Sequence, residues 1–135
     1  MDLDSALRHA GAGMKTQSAR LRVVAQNLAN AQSTGDGPGA EPYRRRTITF
    51  GERLDRESGL RLVDVRRYGH DRSEPQRRFE PAHPAADAQG WVAYPNVEPL
   101  VELMDMREAQ RSFEANLGTM QTARALLQRA LDLLR

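Results

Sequence analysis

The sequence predicts a mainly α protein with a small β insertion, in which long N- and C-terminal helices enclose a short antiparallel β-ribbon. At both ends of the chain, apolar side chains recur at alternating intervals of four and three residues. That 3.5-residue repeat is typical of helices that pack along a narrow seam. The residues between the two ends instead carry glycine- and proline-rich turns and short alternating stretches. We therefore predict two heptad helices packed as a coiled-coil-like pair.

The first element is a helix over residues 1–32, the N-terminal axial helix. Asp2 and Asp4 suit its start, because carboxylates accept hydrogen bonds from the free N–H groups of a first turn. Gly11 and Gly13 each weaken the helix by about 1 kcal/mol relative to alanine, but they leave room for a neighbouring backbone. The predicted assembly seam of this helix is Leu3, Leu7, Ala10, Met14, Gln17, Leu21, Val24, Leu28 and Ala31.

Residues 33–97 form the predicted loop and small β-ribbon region. Four stretches have the alternation or the β-branched and aromatic content of strands: Arg46–Phe50, Leu60–Val65, Arg77–Glu80 and Trp91–Tyr94. The region holds too few large apolar side chains to bury a deep core. We expect the ribbon to lie against the helices or against a neighbouring molecule.

The last element is the C-terminal axial helix, residues 98–135, and the two helices together form one helical domain. Pro99 fits the first-turn preference of proline. A row of mostly small residues, Ala109, Asn116, Ala123 and Ala130, lies beside the predicted seam. That seam is Leu103, Met106, Gln110, Phe113, Leu117, Met120, Arg124, Leu127, Leu131 and Leu134.

Polar residues interrupt both seams, at Gln17 in the first helix and at Gln110 and Arg124 in the second. Polar groups at such positions lower stability and commonly fix the register or the number of packed helices. This pattern favours a subunit of an assembly.

The composition argues against catalysis. The chain has no cysteine, which excludes disulfides, thiolate metal sites and a cysteine nucleophile. His9, His70 and His83 match no metal-ligand spacing, and the glycine run at residues 35–39 lacks the lysine of a phosphate-binding loop. We therefore predict no catalytic residues, no metal site, no cofactor and no small-molecule substrate.

Charge and hydropathy exclude two further classes of partner. The net charge is +2, and the arginine clusters alternate with acids, which gives too weak a field for nucleic-acid binding. No run approaches the roughly 18 apolar residues of a membrane span. The first residues are acidic and lack an apolar core, so we expect no cleavable signal peptide.

Four motifs carry a family resemblance over nearly the whole chain. They are Asn27–Asn30 followed by Ser33–Gly35, the tetrapeptide Pro42–Arg45, the segment Gly90–Val97, and the helical segment Met106–Leu117. In order and in content they resemble the bacterial flagellar axial proteins and, among these, the rod proteins of the basal body.

The resemblance implies a structural subunit of the proximal rod that polymerises through its terminal helices as part of a hollow drive shaft. Implied partners are the protein itself, other rod proteins, the basal-body membrane ring and the flagellar type III export apparatus. The implied location is the periplasm-spanning rod, reached by export without a cleaved signal peptide. An alternative from another class is a coiled-coil adaptor or chaperone-like module that binds partner helices.

The polar residues of the motifs are Asn27, Asn30, Asn96 and Asn116. An amide both donates and accepts hydrogen bonds, so we predict that Asn27 and Asn116 bond to each other between the helices. Asn30 has two interpretations: it reaches the adjoining chain, or it ends its own helix.

Overall fold

The computed structural model describes residues 2–135 and contains two long helices with four strands between them. The mainly α class with a small β insertion is confirmed, whereas coiled-coil-like pairing stays a prediction. In chain order the elements are α1 (Leu3–Ala29), β1 (Arg46–Leu54), β2 (Arg61–His70), β3 (Gln76–Phe79), β4 (Trp91–Tyr94) and α2 (Pro99–Leu133).

The β region consists of two separate two-stranded sheets, β1 with β2 and β3 with β4. β3 and β4 are antiparallel, with Phe79 opposite Trp91 and Arg77 opposite Ala93. β1 and β2 extend further than the alternating stretches predict, to Leu54 and His70. Each residue added to a pair satisfies backbone groups that would otherwise lack partners, so pairing continues where side-chain alternation stops.

The chain divides into two compact units. Unit 1 takes in the chain up to Leu21 together with Ile48–Arg67 and Arg107–Arg135. Unit 2 takes in Arg22–Thr47 and Tyr68–Met106. The boundaries at residues 32 and 97 that the sequence suggests remain predictions.

In unit 1, the glycines of α1 face side chains of α2. A Cβ on Gly13 would lie 2.7 Å from the Nδ2 atom of Asn116, whereas one on Gly11 would lie at an ordinary 3.6 Å from Met120. The space at Gly13 is therefore filled by an amide side chain and not by the backbone that the sequence suggested. The Asn116 amide is held in place, because it donates to the carbonyl of Ser112 at 2.8 Å.

Unit 2 has a small core beneath the β3–β4 hairpin. Ala85, Val92 and Tyr94 are buried together there. Gly90 turns the chain into β4 with φ of +90°, a conformation that glycine adopts without steric cost. A core of this size agrees with the low aromatic content of the sequence.

Local hydrogen bonds define both ends of α1. Asp2 accepts from the backbone N–H of Ser5 through Oδ1 at 2.7 Å, which satisfies one free donor of the first turn and lowers the pKa of the Asp2 carboxyl. At the other end, the side chain of Asn30 donates to the Gln26 carbonyl at 2.9 Å and its Oδ1 accepts from Ser33. Asn30 therefore ends its own helix.

Gly13→Ala should destabilise the full chain, although alanine is the better helix former, because the new methyl must displace the bonded Asn116 amide. Overpacking of this kind costs about 1–3 kcal/mol. The matched control is Gly118→Ala, where a Cβ meets nothing within 4 Å and the gain should be about 1 kcal/mol. Urea unfolding of both variants checks the sign; equal stabilisation would contradict the close packing at Gly13.

Candidate assembly site

The side of α2 that its own chain buries is the row of small residues as far as Ala123, beyond which Ala130 is exposed, and not the predicted seam. Ala109 and Ala123 are buried, and Asn116 between them is half-buried. The same row continues one heptad towards the N-terminus to Glu102, which is fully buried. Small side chains permit close approach of packed elements, which explains why this row is the inward one.

The predicted seam of α2 lies mostly outward. Met106, Phe113, Leu117 and Met120 are half-buried. The other six seam positions are exposed: Leu103, Gln110, Arg124, Leu127, Leu131 and Leu134. A row of exposed leucines on one helix is unusual for a surface in contact with water alone and indicates an interaction surface.

The predicted seam of α1 is more enclosed. Ala10 and Val24 are buried, and the other seven positions, Leu3, Leu7, Met14, Gln17, Leu21, Leu28 and Ala31, are half-buried. Among the polar residues of this helix, Ser5, Thr16 and Asn27 are buried. The most buried side of α1 therefore includes polar groups that the heptad pattern does not contain.

Gln17 differs from the other polar seam residues. Its Oε1 atom is shielded from solvent and has no hydrogen-bond partner among residues 2–135. An unsatisfied buried acceptor costs about 1–3 kcal/mol. The polar break at this position therefore lowers the stability of the chain.

Asn27 is the centre of a polar cluster in unit 2, formed by Asn27, Tyr43, Arg45, Asn96 and Glu102. Its amide donates to the Arg46 carbonyl at 3.0 Å, and its Oδ1 accepts from the Arg46 N–H at 2.8 Å. The side chain thus pairs with both backbone groups of the first residue of β1, as a neighbouring strand would.

The Asn27 amide makes a second hydrogen bond through each of its two polar atoms. Its Oδ1 accepts from the Tyr43 hydroxyl at 2.8 Å, and its Nδ2 donates to the Glu102 carboxylate at 3.3 Å. These bonds saturate the amide. The predicted bond with Asn116 is therefore wrong: Asn27 does bond to a residue of α2, but that residue is Glu102.

Glu102 carries the buried charge of the polar cluster. Its carboxylate is fully buried and accepts from Nε of Arg45 as well as from Asn27. The buried carboxylate is tolerable because it accepts hydrogen bonds from both a guanidinium and an amide. Glu102 is not among the residues predicted from the sequence, although it lies seven residues before Ala109, where one more heptad of the same row would place it.

Arg45 connects the buried carboxylate to the surface of unit 2. Besides Glu102, its guanidinium lies 3.6 Å from Asp105 and 3.9 Å from Asp71. Three carboxylates around one guanidinium fix its position. Two of the four residues of the tetrapeptide, Tyr43 and Arg45, thus belong to this polar cluster.

Asn96 contacts the backbone of Arg45. Its Oδ1 accepts from the Arg45 backbone N–H at 2.8 Å, and its Nδ2 donates to the carbonyls of Asp71 and Ser73 at 3.2 and 3.1 Å. The motif asparagines Asn27 and Asn96 therefore satisfy the backbones of adjacent residues, Arg46 and Arg45. Their shared role is to fix the start of β1.

In these contacts polar residues build the fold, and comparison with known proteins gives the family. The profile of the family described as flagella basal body rod protein matches residues 7–35, and that of the flagellar basal body rod FlgEFG protein C-terminal matches residues 88–133. The flagellar basal-body rod protein FlgC of Agrobacterium fabrum is 50% identical over 133 residues, which is 98% of this chain and 96% of that protein.

The chain belongs to the FlgC family of flagellar basal-body rod proteins. The FlgC proteins of Salmonella typhimurium and Aquifex aeolicus are 35% and 36% identical, over 92% and 98% of this chain and 92% and 97% of their own lengths. Because the family is structural, the predictions of a proximal rod subunit and of a protein that is not an enzyme are confirmed. The adaptor or chaperone-like alternative is not favoured.

No group of three or more acidic or histidine side chains within residues 2–135 is arranged to hold a metal ion. Neither α1 nor α2 is apolar enough over its described length to cross a membrane.

Arg45→Met should destabilise this FlgC-family protein by about 3–5 kcal/mol, because the Glu102 carboxylate would remain buried without its cation. The matched control is Arg44→Met, since Arg44 contacts the exposed Glu41 at 3.4 Å and should contribute about 0–1 kcal/mol. Denaturant unfolding gives both values. Adding Glu102→Leu to Arg45→Met should recover part of the loss, and strict additivity would contradict the pairing.

Gln17→Leu should stabilise the isolated protein by about 1 kcal/mol, because it removes the buried acceptor without a partner. Thr16→Val is the contrasting variant, since the Thr16 hydroxyl is buried and donates to the Gly13 carbonyl at 2.9 Å. Thermal unfolding should rank Gln17→Leu above the parent protein and Thr16→Val below it. A loss of stability in Gln17→Leu would show that its Oε1 atom has a partner in solution.

Alkaline pH should destabilise the polar cluster. Burial raises the pKa of the Tyr43 hydroxyl, so the folded state retains this proton more strongly than the unfolded chain, whose tyrosine pKa is about 10. The resulting stability is complete below about pH 10 and is lost as the pH rises through the folded pKa. Lys15 is the only lysine, which leaves few other groups to titrate there.

The measurement is the free energy of unfolding of Tyr43→Phe across that range. The free energy of unfolding of Tyr43→Phe should fall less steeply with rising pH than that of the parent protein. Thr16→Val is the control, because it removes a buried hydroxyl that does not titrate in this range, and it should leave the slope unchanged. Identical slopes for Tyr43→Phe and the parent protein would contradict the assignment.

Proposed function

We propose that this protein polymerises through its terminal helices, with the exposed leucine row of α2 as the principal contact with neighbouring rod subunits. The observation that carries the proposal is the division of α2 into a buried row of small residues and an exposed row of leucines. Leu127, Leu131 and Leu134 are 42%, 50% and 85% exposed, and burying them supplies the main free energy of association.

The polar residues of the exposed seam add specificity. Gln110 and Arg124 interrupt the apolar row and lie at the surface. In packed helices such residues disfavour wrong registers, because a misaligned partner would bury them without hydrogen bonds. The same residues would thus select the partner's axial position along α2.

In this proposal the helices line the hollow proximal rod that crosses the periplasm as part of the drive shaft. Partners are further copies, other rod proteins and the membrane ring at the base. The subunit reaches this place through the flagellar type III export apparatus without cleavage of a signal peptide. Membership in the FlgC family supports this placement.

Leu131→Arg tests the seam. It should abolish or strongly reduce rod assembly and swimming when it replaces the parent gene, because it places a charge in an apolar contact. The free energy of unfolding of the purified protein should stay within about 0.5 kcal/mol of that of the parent, since the side chain is exposed in the single chain.

The matched control is Gln128→Arg, an exposed position on the same helix outside the seam. This variant should assemble rods and swim. Normal motility of Leu131→Arg, or equal loss in both variants, would contradict the assignment of the seam.

A further inference from the structure

The loop that joins α1 to β1 in unit 2 has a short tip at residues 36–39, called the loop tip. The base of this loop is closed, because the Tyr43 N–H donates to the Ser33 carbonyl at 3.1 Å. Next to the tip the two arms of the loop meet closely, since a Cβ on Gly35 would lie 2.6 Å from the Cβ of Ala40. The loop tip therefore projects from a base that is held independently of it.

Asp36, the first residue of the loop tip, has a carboxylate without a partner. Its side chain is exposed, and it forms no hydrogen bond or ion pair within residues 2–135. Every other aspartate of the chain accepts a hydrogen bond or lies in an ion pair. Asp36 is therefore the aspartate whose side chain can turn towards its own backbone without breaking an interaction.

The backbone nitrogen of Gly37 is also without a partner. Within the described part of the chain its N–H has no acceptor, whereas the Gly37 carbonyl accepts from the Ala40 N–H at 3.1 Å. No side chain shields this nitrogen, and a Cβ on Gly37 would meet nothing within 4 Å. A bond between this nitrogen and the Cγ atom of Asp36 closes a five-membered ring. The two reacting atoms are thus adjacent, accessible and unengaged.

We propose that Asp36 and Gly37 form a modification site at which the folded chain converts its own aspartate into isoaspartate. The Gly37 nitrogen attacks Cγ of the uncharged Asp36 carboxyl. The N–Cγ bond forms and a Cγ–O bond breaks, and the hydroxyl leaves with the amide proton as water. The product is a cyclic imide that contains the backbone bond between the two residues.

Water then opens the imide at one of its two carbonyl carbons. Attack at Cγ breaks the N–Cγ bond and restores aspartate. Attack at the backbone carbonyl carbon of Asp36 breaks its bond to the Gly37 nitrogen, so the main chain continues through Cβ and Cγ and the former backbone carbon becomes the carboxylate. One water is released and one is consumed. Mass and charge are therefore unchanged, no oxidant or other reactant is needed, and the main chain gains one carbon.

The added carbon lies in the loop tip and leaves the base of the loop in place. The bond between Tyr43 and the Ser33 carbonyl, and that from the Tyr43 hydroxyl to Asn27, both lie outside the altered segment. The converted chain therefore keeps its fold, and isoaspartate accumulates in the native protein. This inference concerns a single chain and does not depend on the proposed rod contact.

Ageing of the purified full-length protein tests the proposal. Samples kept at constant temperature and neutral pH are digested with trypsin, whose peptide of residues 23–44 contains Asp36 as its only aspartate. A second form of this peptide should grow with time, with the same mass, a different elution time and the isoaspartate fragments of electron-transfer mass spectrometry. A peptide that stays single while the denatured chain converts overturns the proposal.

Two variants test the chemistry of the step. Asp36→Glu should abolish the second form, because the longer side chain would have to close a six-membered ring, which forms far more slowly. Gly37→Ala should slow its growth several-fold, because the methyl group hinders the attacking nitrogen. Growth in either variant at the rate of the parent protein overturns the proposal.

Ala88→Gly separates the effect of the structure from that of the local sequence. It places a glycine after Asp87, whose Oδ1 accepts from the N–H groups of Gln89 and Trp91, both at 2.9 Å. Each aspartate's rate in the folded variant is divided by its rate in denaturant. This ratio should be several-fold lower for Asp87 than for Asp36, because the bonds hold the Asp87 carboxylate away from its own backbone. Equal ratios overturn the structural basis of the proposal.

Discussion

The ion pair between the buried Glu102 carboxylate and the half-buried Arg45 is the constraint on which unit 2 depends. A carboxylate with no exposed surface is tolerated only if a cation and hydrogen-bond donors surround it. Arg45 supplies the cation, and Asn27 supplies a donor from α1. One interaction therefore brings together the end of α1, the segment that enters β1 and the first turns of α2.

The asparagines of the chain use the same chemistry for three different tasks. Asn27 and Asn96 accept hydrogen bonds from backbone N–H groups at the start of β1. Asn30 instead donates to the Gln26 carbonyl where α1 ends. Asn116 fills the space beside Gly13. Asn27, Asn30 and Asn96 each donate through the amide nitrogen and accept through the amide oxygen, at two separate atoms, whereas a serine has one polar side-chain atom and a leucine has none.

The residues that stabilise the single chain and the residues of the proposed assembly contact lie on different faces of α2. Ala109, Ala123 and Glu102 are buried, whereas four leucines of the seam and its two polar residues are exposed. A subunit that joins a rod needs apolar side chains that stay exposed in the single chain. A helix can present such side chains only if other residues stabilise the fold of the single chain. Small side chains and a buried polar cluster meet that need with little apolar material, in agreement with the 5% aromatic content.

The sequence by itself determined the two helices, the positions of the strands and the family, because period, turn residues and motif order are local properties. Helix bounds at Leu3 and near Pro99 follow from the chemistry of first turns, which involves only neighbouring residues. Tertiary structure decided which row of α2 is buried, because a heptad repeat marks several parallel rows and packing selects one. It also decided the partner of Asn27, since an amide binds whichever donors and acceptors folding places within about 3 Å, and Glu102 is brought there from a distance of 75 residues along the chain.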